Sequence, residues 1–244
     1  MTNPPRDPFI DYIEILHDRE ELESSYAPQI PAIKNFNRLK LHPKVTFFIG
    51  ENGSGKSTLL EAIAVAEGFN AEGGTRDFNF ASQESHSDIH KWLRLGRGVR
   101  SSRSDGFFFR AESFYNVATE IDRQGFISYG PTSYHDQSHG ESFLSLFVDK
   151  FKGDGLYLLD EPEAALSPQR QLTFLARMHD LVKKDSQLII ATHSPLIMAY
   201  PDALIYEFTP DGLKEVAYQE TEHFQVTRSF LDQPERMLKH LFES

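Results

Sequence analysis

The feature that most constrains the fold is a glycine-rich turn at residues 50–57, which reads Gly-Glu-Asn-Gly-Ser-Gly-Lys-Ser. The apolar run at residues 45–49 predicts a buried strand before the turn, and residues 57–64 predict a helix after it. Strand, turn and helix in this order are typical of a phosphate-binding loop, or P-loop, whose backbone N–H groups face phosphate oxygens. The predicted phosphate contacts are Asn52, Gly53, Ser54, Gly55, Lys56, Ser57 and Thr58.

Two side chains of this turn have separate predicted roles. Lys56 would reach the β and γ phosphates of a nucleotide, and the Ser57 hydroxyl would bind Mg²⁺. The alternative is a glycine-rich surface turn without a ligand. The strand before the turn and the helix after it favour phosphate binding over that alternative.

A second apolar strand at residues 156–161 ends in two acids, Asp160 and Glu161. Such a strand fits a parallel sheet that delivers carboxylates to its edge. Asp160 would hold the Mg²⁺ shell through water, and Glu161 would polarise an attacking water as the catalytic base. A strand that merely ends in a polar turn is the alternative, and the P-loop upstream argues against it.

Three further segments follow the same pattern of strand ends and helix starts. Residues 188–195 predict a strand that ends near His193, which would lie close to the γ-phosphate. Residues 163–168 predict a short loop, followed by an amphipathic helix. The apolar face of that helix is predicted to contain Leu172, Leu175, Met178 and Leu181.

The third segment, residues 137–142, opens a helix whose apolar side chains are Phe143, Leu144, Phe147, Val148 and Phe151. Ser138 suits an N-cap and Glu141 sits three residues later, so an ordinary capping box explains the fragment taken alone. Its place between the P-loop and the Asp-Glu strand suggests a second explanation.

In their order along the chain, these motifs resemble those of the ATP-binding-cassette (ABC) ATPases. The chain also resembles small stand-alone bacterial predicted ATPases of the AAA/ABC-like group, through residues 160–171 and 110–114, and this likeness covers nearly the whole sequence. The resemblance implies ATP and Mg²⁺ as ligands, Ser138 and Gly140 as signature contacts to a γ-phosphate, and His193 as the switch histidine. It implies catalytic roles for Glu161, His193 and Lys56.

Two departures from the family pattern limit what is carried over. The signature of the family reads Leu-Ser-Gly-Gly-Gln, whereas residues 137–141 read Gln-Ser-His-Gly-Glu. A glutamine is also expected after a strand between the P-loop and the signature, but residues 107–111 run into Glu112. Glu112 is therefore the predicted substitute and a candidate metal ligand beside Ser57 and Asp160, with Gln83 as the weaker alternative.

The resemblance and the motif order together predict an α/β fold of the P-loop NTPase type with ABC-ATPase-like architecture. Its mostly parallel core sheet would carry helices, an N-terminal antiparallel β lobe and a small helical lobe. We expect one domain over residues 1–244, with the β lobe and P-loop core at about 9–69 and the small helical lobe at about 70–151. The core with the Asp-Glu strand and the switch histidine would occupy about 152–244.

Composition narrows the class of protein. The 244 residues are 39% hydrophobic and 25% charged, which is ordinary for a globular protein, and no apolar run is long enough to span a bilayer. Neither a signal peptide nor a cysteine framework is visible, so a cytoplasmic protein without membrane insertion is expected. A net charge of −11 argues against a nucleic-acid footprint over the whole surface.

Two groups of residues have open roles. The arginines between residues 94 and 103 would lie on a loop or frayed turn, either solvated or in contact with a polyanion or a nucleotide phosphate, and Trp92 would serve packing. The adenine contact is not identified by any motif. Its candidates are Phe9, Tyr12, Tyr26 and Phe36.

In the family mechanism, two chains meet head to tail and ATP bound by one is capped by Ser138 and Gly140 of the other. We therefore expect an ATPase that dimerises on ATP and acts on a separate effector protein or on DNA. A nucleotide-gated interaction module with negligible turnover is the alternative, which Glu161 disfavours. A small-molecule kinase is a weaker alternative, because Glu161 and His193 suit the activation of water.

Overall fold

The computed structural model describes residues 7–16, 37–76, 88–98, 105–113, 144–145, 147–148 and 150–243. Within these residues the centre of the fold is a six-stranded sheet with the strand order β5-β6-β7-β3-β8-β9. All neighbouring strands are parallel except the last pair, which is antiparallel. The six strands are β3 (Val45–Gly50), β5 (Asp105–Arg110), β6 (Gly155–Asp160), β7 (Gln187–Ala191), β8 (Leu204–Thr209) and β9 (Gly212–Glu215).

A second, three-stranded antiparallel sheet has the order β2-β1-β4. Its strands are β1 (Ile10–Ile15), β2 (Arg38–Lys40) and β4 (Leu93–Arg97). Gln187 joins the two sheets, because its buried amide accepts from Ile10 N at 2.9 Å and donates to Ile10 O at 2.8 Å. The predicted antiparallel β lobe beside a mostly parallel core is thus confirmed.

Five α-helices have both ends within the described residues, and most begin with local sequence signals. Proline occupies the first position of α2, α3 and α5, where its missing N–H costs no helical hydrogen bond. The side chains of Ser167, Ser194 and Thr221 cap α2, α3 and α4. The helices are α1 (Lys56–Ala66), α2 (Pro168–Lys183), α3 (Pro195–Met198), α4 (Glu222–Asp232) and α5 (Pro234–Glu243).

The central strands are buried on both faces, as their continuous apolar sequences predict. On one face, Phe48 and Leu158 pack with α1 and the three-stranded sheet. On the other face, Phe47 and Leu159 pack with α2 and α3. Successive side chains of a strand point to opposite faces, so one hydrophobic run supplies both cores.

The buried side of α2 differs from the predicted one. Phe174, Met178 and Leu181 are buried, whereas Leu172 is 48% exposed. The interpretation that put Leu172 on the core face is therefore wrong. Residues 174, 178 and 181 are spaced by four and three, which keeps them on a single helical stripe, while residue 172 lies outside it.

The arginine-rich segment also differs from its prediction. Arg94 and Arg97 lie on β4, where the loop or frayed turn was expected. The pairing of β4 with β1 needs glycine at residue 96, because the Cβ of any other residue would lie 2.1 Å from the Tyr12 ring. Arg94 pairs with Glu14 at 3.4 Å, and Arg97 pairs with Glu67 at 3.6 Å. Residues 99–104 lie outside the described residues.

Candidate functional site

The ends of three parallel strands bring the predicted motifs to one edge of the sheet. Asp160, the last residue of β6, lies opposite Ala191, the last residue of β7, which lies opposite Phe48 in β3. The backbone continues these links, since Glu161 N donates to Ala191 O at 2.9 Å and Thr192 N donates to Phe48 O at 3.1 Å. Ligand sites of open α/β sheets lie at this carboxyl edge.

The glycine-rich turn follows β3 at this edge and has left-handed backbone angles at its glycines. The φ angles are +137° at Gly50, +78° at Gly53 and +102° at Gly55. A Cβ at Gly50 would lie 2.6 Å from the carbonyl oxygen of Phe208, whereas one at Gly53 would meet no atom within 4 Å. Packing and conformation both require glycine at residue 50, while conformation alone requires it at residue 53.

Lys56, the first residue of α1, is buried inside this turn. Its ammonium donates to the carbonyl oxygens of Gly50 at 2.9 Å and Glu51 at 2.8 Å. Burial lowers the pKa of Lys56, and nearby carboxylates, chiefly Glu161, oppose the shift. The buried Ser54 hydroxyl has no hydrogen-bond partner in the described part of the chain. A buried cation and an unused hydroxyl in one turn fit a phosphate group.

Ser57 and Asp160 meet directly below the turn. The Ser57 hydroxyl donates to Asp160 Oδ1 at 2.9 Å, although the two residues are 103 positions apart. Burial is the main cause that raises the pKa of Asp160 to about 6, and the Ser57 hydrogen bond and the Arg110 charge hold it down. Mg²⁺ prefers one or two carboxylate ligands together with oxygens from a phosphate. The hydroxyl and carboxylate therefore fit this metal.

Sequence reasoning missed Arg110, which balances the acids of this edge. It lies at the register position opposite Asp160, and its Nε is 3.9 Å from Asp160 Oδ2. Its guanidinium also pairs with Glu61 at 2.6 Å and with Glu112 at 3.7 Å. The available signal was its position as the last residue of the strand beside the Asp-Glu strand, where a side chain reaches the same edge.

Glu161 and His193 lie on adjacent connections. Glu161 has a φ of +50°, unusual for a residue with a side chain, and its carboxylate is 40% exposed. His193 Nε2 lies 3.7 Å from Glu161 Oε1. Burial and the Lys56 charge lower the pKa of His193, whereas Glu161 opposes this shift. The structure thus places the predicted base and the predicted switch histidine next to each other.

Glu163 is a second residue that sequence reasoning did not single out. Its Oε1 accepts a hydrogen bond from the backbone N–H of His193 at 2.5 Å. Burial raises the pKa of Glu163, and this N–H is the largest factor that opposes the shift. The turn after the Asp-Glu strand therefore holds the backbone of the histidine, and the Glu-Pro-Glu sequence was the available signal.

The residue after the histidine is attached to α2. The Ser194 hydroxyl donates to Gln171 Oε1 at 2.6 Å, and Gln171 Nε2 donates to Leu166 O at 3.1 Å. Ser194 Oγ also accepts from Ile197 N, which caps α3. These bonds fix the turn that contains His193 against the loop predicted at residues 163–168.

Several other predicted site residues are exposed, lie in the core or fall outside the described residues. Glu112 is 88% exposed and pairs with Arg110, and its role as a metal ligand stays a prediction. Phe9 is 5% exposed within the core, and Arg38 covers the Tyr12 ring at 4.0 Å. Asn52 is exposed, and Thr58 lies in the first turn of α1. The predicted residues Gln83, Ser138, Gly140, Tyr26 and Phe36 lie outside the described residues.

Two family models match the chain. One, described as "AAA domain, putative AbiEii toxin, Type IV TA system", matches residues 128–199. The other, described as "AAA domain", matches residues 29–141. The first contains the Asp-Glu strand and His193, and the second contains the whole P-loop.

Curated relatives agree with these models. The chain is 28% identical over 193 residues to "Putative ABC transporter ATP-binding protein TTE0246" of Caldanaerobacter subterraneus subsp. tengcongensis, covering 69% of this chain and 77% of that protein. It is 26% identical over 175 residues to "ABC transporter G family member STR2" of Medicago truncatula, covering 62% of this chain. It spans 24% of the length of the plant protein.

A solved structure shares the fold. The crystal structure of an SmcHead bound to the C-winged helix domain of ScpA matches with a TM-score of 0.50 at 14% identity, over 86% of this chain and 98% of that one. The P-loop, the Asp-Glu strand and the two AAA-domain matches support a P-loop ATPase of the AAA/ABC-like class, and the solved structure adds the shared fold. Among the described residues, no helix has both the length and the apolar character that crossing a bilayer requires.

Proposed function

We propose that this chain binds ATP with Mg²⁺ and hydrolyses the γ-phosphate. The observation that carries the proposal is the 2.9 Å hydrogen bond between Ser57 and Asp160 at the foot of the glycine-rich turn. It joins the two residues that P-loop proteins use around Mg²⁺, and Glu161 follows directly. The AAA and ABC matches support the same general chemistry.

Binding is divided between backbone and side chains. Backbone N–H groups of residues 50–57 would face the phosphates, and Lys56 would leave its carbonyl partners to contact the β and γ phosphates. Mg²⁺, held by Ser57 and Asp160, would neutralise charge on the phosphate oxygens. The Ser57 hydrogen bond and the Arg110 charge oppose the increase in the pKa of Asp160 that burial causes. Glu112 stays a proposed additional contact near this metal.

Hydrolysis needs a base that can reach water and a group that positions the phosphate. The half-exposed carboxylate of Glu161 would orient the attacking water and accept its proton. His193 would donate from Nε2 toward the γ-phosphate oxygens, because this nitrogen faces the same space as Glu161. Glu163 would hold the backbone of His193 while this happens.

The resemblance to ABC ATPases supports a further step between two copies of the chain. Ser138 and Gly140 of a second copy would contact the γ-phosphate, so that ATP is enclosed by a dimer. Loss of that phosphate would then open the dimer. We propose a separate effector protein, or DNA, as the partner on which this motion acts.

The proposal is tested by a pair of variants. Lys56→Ala should lose ATP binding, because the positive charge between the β and γ phosphates is removed. Glu161→Gln should bind ATP and Mg²⁺ normally while its turnover falls by about a hundredfold or more, because the base that positions water is lost. Binding is measured with a fluorescent ATP analogue, and turnover by phosphate release.

Matched controls are available on the surface. Lys44→Ala removes an exposed lysine immediately before β3, and Glu235→Gln removes an exposed glutamate of α5, so both should behave like the wild type. Unchanged ATP affinity in Lys56→Ala would contradict the P-loop assignment. Negligible phosphate release by the wild type, with or without DNA, would instead favour the nucleotide-gated module.

A further inference from the structure

The side chain of His223 contacts the switch histidine from a helix that none of the motifs includes. His223 is the second residue of α4, and its Nε2 lies 3.3 Å from His193 Nδ1. The two ring centroids are 5.5 Å apart with an interplanar angle of 48°, so the rings meet through their nitrogens instead of stacking. The opposite nitrogen of His193 faces Glu161 at 3.7 Å.

This geometry limits how protons can be distributed over the two rings. A hydrogen bond between two histidine nitrogens needs one N–H and one lone pair, so two fully protonated rings would oppose each other. Burial is the largest cause that lowers the pKa of both His193 and His223, and the Lys56 charge adds to it for each ring. Glu161 opposes the shift at His193, and Glu222 and Glu207 oppose it at His223.

Two arrangements of the neutral pair are possible, and Glu161 distinguishes them. If His193 carried its proton on Nδ1, the lone pair of Nε2 would face the Glu161 carboxylate, which only accepts hydrogen bonds. If His193 carries its proton on Nε2, that N–H faces the carboxylate and Nδ1 accepts from His223 Nε2–H. The outer nitrogens of the pair, His223 Nδ1 and His193 Nε2, are both buried without a hydrogen-bond partner among the described residues. The second arrangement puts the outer proton on His193 Nε2, which has the Glu161 carboxylate 3.7 Å away.

The start of α4 is fixed against the turn that carries His193. The buried side chain of Thr221 caps α4 by accepting from Phe224 N at 3.3 Å, and it donates to Tyr218 O at 2.8 Å. The Tyr218 hydroxyl in turn donates to Pro195 O at 2.9 Å. The segment that leads into α4 and carries His223 is therefore hydrogen-bonded to Pro195, which lies two residues after His193.

We propose that His223 is a positioning residue that holds His193 in the Nε2–H tautomer, with its donor aimed at the space beside Glu161. The proposal rests on the proposed role of His193 in hydrolysis. In that role His193 needs a proton on Nε2 to donate to a phosphate oxygen, and a neutral histidine in water has no fixed tautomer. Outer partners that fix the tautomer of a ring in this way are common around metal-bound histidines.

The tautomer is measured directly by long-range ¹⁵N–¹H NMR correlation on the nucleotide-free protein. The wild type should show the Nε2–H form of His193. His223→Phe, which keeps an aromatic ring but has no N–H, should lose this preference, and His223→Gln, which keeps a donor, should retain it. An unchanged tautomer of His193 in His223→Phe would overturn the proposal.

Kinetics provide the second measurement. His223→Phe should lower kcat by about tenfold with little change in KM for ATP, and His223→Gln should recover most of the loss. His179→Phe is the matched control, because His179 is an exposed histidine of α2 whose Nδ1 lies 3.1 Å from the Tyr200 hydroxyl, and its loss should affect neither the tautomer nor kcat. Equal losses in His223→Phe and His223→Gln would contradict the donor role. A wild type without turnover would contradict the proposed hydrolysis and leave the tautomer measurement valid.

Discussion

At the scale of single residues, the candidate site is a set of opposed charges held in a small buried space. Lys56 bonds to carbonyl oxygens, and Asp160 is balanced by Arg110 and Ser57. Burial is nevertheless the largest influence on the pKa of both groups. It lowers the pKa of Lys56 and raises the pKa of Asp160. The free protein therefore stores unfavourable electrostatic energy at the site that phosphate and metal would bind.

This imbalance predicts a pH dependence of stability. The folded pKa of Asp160 is raised to about 6, so its contribution is favourable below the ordinary aspartate pKa and is lost as pH rises through the folded value. Without Mg²⁺, Asp160→Asn should gain stability relative to the wild type between about pH 4 and pH 6, reaching about 2 kcal/mol. Urea unfolding across this range measures it.

The control for this measurement is Asp7→Asn, which changes the exposed carboxylate of the first described residue and should show no such trend. A difference between Asp160→Asn and the wild type that stays constant with pH would contradict the raised pKa. Mg²⁺ should stabilise the wild type and not Asp160→Asn, because the carboxylate ligand is absent from the variant.

At the scale of elements, each secondary structure that bears a motif is anchored by its neighbours. α2 packs Phe174 into the core beneath β3 and β6, and through Gln171 it holds Ser194, the residue after His193. Phe174 also contacts Phe147, with the ring centroids 4.6 Å apart. One helix thus connects the apolar core to the turn that carries His193.

The buried face of α2 can be tested by comparing two apolar truncations. Phe174→Ala should cost about 3–5 kcal/mol of unfolding free energy, because a fully buried ring is removed from the core. Leu172→Ala should change stability by about 0.5 kcal/mol or less, since Leu172 is 48% exposed. Both values come from urea unfolding. A large loss in Leu172→Ala would restore the original sequence interpretation.

At the scale of the whole molecule, the site is built from distant parts of one chain. The P-loop, the Asp-Glu strand and the His193 turn meet at the carboxyl edge of a single sheet. In the ABC-like arrangement, Ser138 and Gly140 of a second copy would cover this edge. Dimerisation would then depend on the γ-phosphate.

The assembly is tested with the Glu161→Gln background, which should retain bound ATP. Light scattering should show monomers with ADP and dimers with ATP and Mg²⁺. Adding Ser138→Arg should abolish the dimer without weakening ATP binding, because a bulky cation would stand where the partner's nucleotide must approach. In the wild-type background, the same substitution should abolish turnover.

Ser138→Ala separates this role from a capping box. Loss of a cap alone should cost about 1 kcal/mol of stability and preserve hydrolysis. Normal ATP hydrolysis by Ser138→Arg, or a Glu161→Gln protein that stays monomeric with ATP, would contradict the cassette arrangement and leave a P-loop ATPase of another type.

The sequence by itself determined the local chemistry. Glycines at residues 50, 53 and 55, and apolar strands ending at Asp160 and Ala191, specify a P-loop and an Asp-Glu strand because short-range sterics and burial decide such features. For this reason the sequence alone identified five candidate site residues, namely Lys56, Ser57, Asp160, Glu161 and His193. Their roles in catalysis stay proposals.

Only the tertiary structure decided which side chains support these residues. The contacts of Arg110 with Asp160, of Glu163 with His193 N and of His223 with His193 Nδ1 join segments far apart in sequence, so local signals could mark Arg110 and Glu163 but not their partners. The strand at Leu93–Arg97 was also decided by tertiary structure. Gly96 taken alone only disfavours a helix, but in the sheet its missing side chain leaves room for the Tyr12 ring. Long-range packing outweighs local propensity in each case.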